Sequence, residues 1–107
     1  MSNTLEQIRA LVATGVVRIS DHGYDELAAD EILVRDVVAG LATAELVEDY
    51  PDYPKGPCVL VLAQDRNGAP IHAVWGIPKG ETSPAVLVKA YRPLAARWTP
   101  DFKRRRK

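Results

Sequence analysis

Two histidines are the only side chains of this sequence that titrate near neutral pH without help from their surroundings. His22 lies in the first turn of a predicted acidic helix, and His72 lies in the middle of a predicted strand. Lys89 and Tyr91 alternate onto one face of a later strand, where they can stand side by side. RNA self-cleavage uses such groups: a base removes the ribose 2′-OH proton, cations stabilise the phosphate, and an acid protonates the leaving 5′-oxygen.

Each histidine, taken alone, also has a plain structural interpretation. His72 would then be a solvent-facing or hydrogen-bonded residue of the sheet, and His22 a surface residue of an acidic helical turn. Metal chemistry has less support, because one cysteine and two histidines 50 positions apart match no zinc-ligand spacing. Cys58 is expected to be buried in a strand, which argues against a nucleophilic role. We therefore expect neither a metal nor a cofactor.

The formal net charge of the 107 residues is zero, but the charges are separated along the chain. Residues 21–52 hold ten acidic side chains and one basic, whereas residues 53–107 hold eleven basic and three acidic. The second part therefore suits an anionic partner such as RNA or the ribosome. The acidic part suits a protein partner, or the basic part of a second copy in a homodimer. The basic residues 103–107 are either a disordered tail or part of an RNA contact.

An antiparallel meander is predicted for the centre of the chain. Its three strands are runs of β-forming apolar residues at 58–64, 70–77 and 85–91. Asn67-Gly68 predicts a two-residue type I′ turn, which would place His72 opposite Ala63. Alternation puts Ile71 and Trp75 on the core side and His72 on the other. A further strand is expected over 43–47, and the prolines at 51, 54 and 57 predict an irregular connector from residue 48 onwards.

Helices are expected before the sheet, over about 3–14 with Asn3 as N-cap, over 21–29 with Ser20 as N-cap, and over 33–41. Residues 16–19 form either a linker or an edge strand. The prediction is one α+β domain over residues 1–107, with a helical part at 3–42 and a three- to four-stranded antiparallel sheet at 43–92. No apolar run of 18 residues and no secretory signal occur, so we expect no membrane span and a cytoplasmic location.

Short motifs over residues 18–106 resemble a bacterial family of domains of unknown function. They are Ser20-Asp21-His22-Gly23, Ile32, Asp36-Val37, Val47-Glu48-Asp49-Tyr50-Pro51, Gly56-Pro57-Cys58, Pro70-Ile71-His72-Ala73-Val74, Tyr91-Arg92-Pro93 and Trp98 to Arg106. That family is grouped with the barnase–EndoU–colicin–RelE fold of ribonuclease toxins. The resemblance implies two N-terminal helices on a four-stranded antiparallel sheet. It also implies metal-independent endoribonuclease activity and an antitoxin-like protein partner.

The resemblance carries over to particular residues. The family's helix histidine falls on His22, its strand histidine on His72, and its aromatic residue at the end of the third strand on Tyr91. Its C-terminal tryptophan and arginines fall on Trp98, Arg104 and Arg105. The predicted catalytic residues are therefore His22, His72 and Tyr91, and the predicted phosphate-binding residues are Lys89, Arg92, Arg104 and Arg105.

Three positions depart from the family pattern, and one of them is Lys89, where relatives tend to have threonine two residues before the tyrosine. Relatives usually carry arginine four and eight residues after the helix histidine, where this chain has Glu26 and Asp30. Exposed carboxylates at these positions repel a phosphate by about 1 kcal/mol each. Two other interpretations therefore stand beside a ribonuclease. One is a catalytically inactive module that binds proteins or itself through the acidic helical face. The other is an acidic helix that shields a basic groove until a partner displaces it.

Overall fold

The structure is a computed structural model and describes residues 2–106. Three helices precede most of a five-stranded sheet and pack on it, which confirms the predicted α+β class. The elements are α1 (Asn3–Ala13), β1 (Val17–Ile19), α2 (Asp21–Ala29), α3 (Val34–Gly40), a 3₁₀ turn (Leu41–Thr43), β2 (Glu45–Tyr50), β3 (Cys58–Gln64), β4 (Pro70–Gly76) and β5 (Ala85–Tyr91). The sheet exceeds the predicted size because β1 joins it.

The strand order in the sheet is β1-β5-β4-β3-β2. Strands β2 to β5 pair antiparallel as predicted, whereas β1 pairs parallel to β5, with Arg18 opposite Val86. A parallel pair needs a long crossover connection, and here everything from α2 to β4 lies between the two strands. The expectation of a purely antiparallel sheet is therefore wrong at this edge.

Strand β2 also differs from its prediction. It begins at Glu45 and continues to Tyr50, so residues 48–50 belong to the sheet and not to an irregular connector. The residue before a proline is restricted to extended conformations, and Pro51 is therefore compatible with a strand that ends at Tyr50.

The turn between β3 and β4 is longer than the predicted two-residue turn. Asn67 does not have a positive φ, and only Gly68 does, at 81°. The carboxylate of Asp65 accepts hydrogen bonds from the backbone N–H groups of Asn67 and Ala69. The extra loop residue shifts the register by one, so that His72 pairs with Leu62 and not with Ala63. This register puts the core residues of both strands on the same face.

The helices cover one face of the sheet and bury its apolar side chains. Ser2, and not the predicted Asn3, caps α1, since its hydroxyl accepts from the N–H of Leu5. Ser20 caps α2 as predicted, with a bond of 2.9 Å from the N–H of Gly23. The core contains Leu5, Ile8, Leu27, Ile32, Val37, Leu41, Val59, Val61, Ile71, Ala73, Trp75 and Leu87. No helix within residues 2–106 has both the length and the apolar character needed to cross a membrane.

Candidate functional site

The face of the sheet turned away from the helices, called here the open face, carries side chains in three rows across the strands. Paired residues on neighbouring strands share a face. The first row is Tyr50, Cys58, Gly76, Val86 and Arg18; the second is Glu48, Leu60, Val74 and Lys89; the third is Glu45, Leu62, His72 and Tyr91. Successive rows are roughly 7 Å apart, since each step spans two residues of a strand. His72 and Tyr91 are therefore neighbours on the open face.

A C-terminal hairpin of residues 97–106 covers the third row. Its two arms are joined by backbone bonds of 2.8 Å from Thr99 N to Arg104 O and from Arg106 N to Arg97 O. Lys103 forms an ion pair with Glu45 of β2. The basic residues 103–106 thus belong to an ordered hairpin, and Lys107 lies outside the described residues.

His72 is completely buried beneath this hairpin. Its ring lies 4.3 Å from the ring of Trp98, centroid to centroid. Its Nε2 lies 2.8 Å from the carbonyl oxygen of Phe102, and its Nδ1 lies 3.3 Å from the hydroxyl of Tyr91. A carbonyl can only accept, so Nε2 carries the proton, and Nδ1 of the neutral ring accepts from Tyr91. Burial lowers the pKa of His72 and favours this neutral form.

A groove of about 560 Å³ occupies the first two rows of the open face and reaches Tyr91. Four cationic side chains line it, and Glu48 is the one carboxylate among its described lining residues. The cations are Arg18, Lys55, Lys89 and Arg105. This excess of positive charge in a concave surface attracts an anionic ligand. Burial raises the pKa of Tyr91, so that its phenol keeps its proton at neutral pH.

Arg105 is the cation that connects the groove to the hairpin. Its Nε and Nη2 donate to the two carboxylate oxygens of Glu48 at 3.1 and 3.0 Å, and its guanidinium lies 4.8 Å above the ring of Trp98. The hydroxyl of Tyr50 donates to the same carboxylate at 2.7 Å. The hydrogen bond from Arg105 holds the pKa of Glu48 below its usual value. Arg105 is thus held in place at the edge of the groove.

Two predicted phosphate ligands lie elsewhere. Arg92 donates to Asp65 at 2.8 Å and to the carbonyl of Pro70 at 3.2 Å, so its side chain ties the end of β5 to the β3–β4 turn. Arg104 is exposed and does not line the groove. The structure therefore brings Lys89, Arg105 and Tyr91 together in the groove and leaves these two arginines outside it.

His22 reaches the groove from the first turn of α2, at the opposite edge from the hairpin. Its side chain is 64% exposed, and its Nε2 lies 3.2 Å from the carboxylate of Glu26. His72 does not line the groove, so the two imidazoles do not share one open surface. Asp30, another departure from the family pattern, accepts a 2.7 Å hydrogen bond from the backbone N–H of Arg92. This carboxylate therefore fixes the end of β5.

Several groove residues were not found from the sequence. Arg18 lies on the parallel edge strand, whose partner no local pattern reveals. Tyr50, Tyr53 and Lys55 belong to the stretch that the prolines marked as irregular. The two tyrosines of that stretch, Tyr50 and Tyr53, were the available signal. Within residues 2–106, no group of three or more His, Cys, Asp and Glu side chains could hold a metal ion.

Comparisons with known proteins give one match. No curated protein and no solved structure is detectably similar to this chain. The model of a family described as a domain of unknown function (DUF4258) matches residues 19–92. The match runs from the end of β1 to the residue after β5 and includes both histidines and Tyr91. The chain therefore belongs to the DUF4258 family of domains of unknown function.

Proposed function

We propose that this chain is a metal-independent endoribonuclease that cleaves RNA by attack of the ribose 2′-OH on the adjacent phosphodiester. The observation that carries the proposal is the hydrogen bond from Tyr91 to the buried His72 at the end of a groove lined by four cations. The grouping with the barnase–EndoU–colicin–RelE fold, implied by the sequence motifs, agrees with this activity. A cellular role as a toxin with an antitoxin-like partner belongs to the same proposal.

Tyr91 takes the proton of the 2′-OH and passes its own proton to His72, so the two residues together act as the base. The phenol donates its proton towards Nδ1 of His72, so the lone pairs of the phenol oxygen face the groove. As the 2′-O–H bond breaks, its proton passes to the Tyr91 oxygen and the phenol proton passes to Nδ1. The carbonyl of Phe102 then stabilises the imidazolium through the N–H of Nε2. His72 acts through Tyr91 and does not touch RNA.

The remaining steps use the other groove residues. The new bond joins the 2′-oxygen to phosphorus, and the bond from phosphorus to the 5′-oxygen breaks. His22 lies in the groove and is mostly exposed, so in its protonated form it can give a proton to the leaving oxygen. Lys89 and Arg105 stabilise the negative charge of the phosphate in the transition state. The products are a 2′,3′-cyclic phosphate and a 5′-hydroxyl.

The test is incubation of the purified chain with RNA, both free and on ribosomes, in the presence of a chelator. We expect cleavage that leaves cyclic phosphate ends. Tyr91→Phe keeps the ring but removes the relayed proton, and the rate should fall by about 10² to 10⁴. Tyr24→Phe is the matched control, because Tyr24 is 55% exposed on α2 and does not line the groove. A wild type that leaves every RNA intact, or a Tyr91→Phe variant as fast as wild type, would refute the proposal.

A second candidate function is a binding module without catalysis. It is favoured by the acidic residues Asp21 and Asp25, which are one helical turn apart on α2 and are both exposed. Such a surface suits a basic protein partner or the cationic groove of a second copy. Sedimentation at low and high salt tests it. Salt-sensitive self-association that is lost in Asp21→Lys/Asp25→Lys supports the binding module. A chain that is monomeric at every salt concentration refutes self-association through this surface.

A further inference from the structure

The first row of the open face differs in chemistry from the two rows near Tyr91. Gly76 has no side chain, its neighbours Cys58 and Val86 in the row are apolar, and so is Val74 in the second row, so this part of the face forms a shallow apolar floor. A methyl group on Gly76 would meet the Cβ of Cys58 at 3.3 Å, closer than ordinary contact. A side chain at this position would therefore crowd Cys58 in the floor.

Two tyrosines stand at the β2 side of this floor. Tyr50 is 44% exposed and Tyr53 is 50% exposed, and both line the groove. The hydroxyl of Tyr50 is already bonded to Glu48, which fixes the direction of the ring. An oriented aromatic ring, an apolar floor and cations on either side form a surface on which a nucleobase can stack while its phosphates remain in contact with positive charge.

We infer that Tyr50, Tyr53 and the Gly76 floor form a subsite for one unpaired nucleobase, which makes single-stranded RNA the substrate class. This inference rests on the proposed function, since it assigns the substrate of the same groove. Charge complementarity supports RNA as the occupant, because Arg18 and Lys55 flank the floor and Glu48 is bound to Arg105. Bases in a duplex are stacked and paired, and only an unpaired base can turn its face to the tyrosines.

The subsite lies roughly 14 Å from Tyr91 along the strands, two rows away. At that distance the bound base does not belong to the reacting ribose, and its binding holds the strand in register with the phenol. Binding of that base contributes to affinity and position, but it takes no part in proton transfer.

The experiment measures binding without cleavage. A fluorescent 2′-fluoro RNA of about eight nucleotides has no 2′-OH nucleophile, and a series of such strands carries one abasic site at each position in turn. We expect one or two abasic positions to weaken binding to the wild type by roughly 5- to 150-fold, the range of base–aromatic stacking. Tyr50→Leu should bind the intact strand as weakly as the wild type binds the abasic one, and Tyr50→Phe should restore affinity.

The controls separate this inference from the proposed function. Tyr24→Leu removes an exposed tyrosine outside the groove and should leave the abasic profile unchanged. If every abasic strand binds the wild type as tightly as the intact strand, the base subsite is refuted while RNA binding by the groove stands. If no RNA binds at low salt, both proposals fail. Should Tyr50→Leu fail to fold, the abasic series on the wild type still decides.

Discussion

Replacement of His72 by glutamine should remove a defined part of the pH dependence of folding. His72 is fully buried, and burial lowers its pKa relative to the value of about 6.5 in the unfolded chain. Above that value the ring is neutral in both states. As the pH falls below it, the unfolded chain takes up a proton that the folded chain does not, so the folded state loses stability. His72→Gln keeps a donor for the Phe102 carbonyl but cannot be protonated.

The size of the effect follows from the surroundings of the ring. Among residues 2–106, Glu48 is the carboxylate that acts on the ring, and it is already paired with Arg105, whose own charge opposes an imidazolium. For one buried histidine that stays neutral, the free energy of unfolding falls by up to about 1.4 kcal/mol per pH unit below 6.5. This gives a ceiling of about 2 kcal/mol at pH 5 relative to neutral pH. The paired carboxylates have lowered pKa values and affect stability only at more acidic pH.

Urea denaturation at pH values from about 5 to 7.5, followed by tryptophan fluorescence, measures this difference. The wild type should lose stability towards pH 5, and His72→Gln should show a flatter profile over the same range. His22→Gln is the matched control, because it removes the exposed imidazole and leaves the slope due to His72 in place. Equal slopes in wild type and His72→Gln would show that the folded state also protonates His72. The proton relay from Tyr91 would then lack its acceptor.

Two further predictions concern the N-cap of α2 and the ion pair between Glu48 and Arg105 in the groove. Ser20→Ala removes the acceptor for Gly23 N and the hydrogen bond of 2.8 Å to the carbonyl of Val88, and should lower the free energy of unfolding by about 1 to 2 kcal/mol in urea titration. Ser20→Thr should recover most of that loss, and a fully stable Ser20→Ala would contradict the capping role. Glu48→Gln removes the carboxylate of the groove and frees Arg105, so low-salt RNA binding should tighten about fivefold in fluorescence anisotropy. Unchanged affinity would mean that Arg105 does not contact the ligand.

The strands of the meander were predictable because their signals are local. The run that begins at Cys58 contains six consecutive β-forming or apolar residues before Gln64, and the return strand alternates around Trp75. The position of the turn between β3 and β4 was predicted correctly, but its type was not. Asn67-Gly68 favours a two-residue turn, yet the Asp65 side chain binds two backbone N–H groups and stabilises a longer loop. The hydrogen bonds that the Asp65 carboxylate accepts from the loop therefore outweighed the preference of Asn67-Gly68 for a two-residue turn.

The burial of His72 was not predictable from the sequence. The hairpin over it has no long apolar alternation, and its contacts are long-range and specific. Arg106 donates to the carbonyls of Ala95 and Trp98, and Phe102 adopts a positive φ of 60°. A run of basic residues gives no indication of such bonds, because the same composition is typical of a solvated tail. The alternation of residues along the strand shows that His72 faces away from the core. It does not show that the hairpin covers that face.

The hairpin also explains why the neighbouring residues Arg104 and Arg105 have different surroundings. Side chains alternate along an extended arm, so Arg105 turns towards Trp98 and Glu48 while Arg104 stays exposed. The opposite arm and the turn place Trp98 and the Phe102 carbonyl on His72. One segment therefore supplies a cation to the groove and sets the tautomer of the histidine behind Tyr91. Because both contacts depend on the same hairpin, any change that detaches it would remove Arg105 from the groove and the Phe102 carbonyl from His72 together.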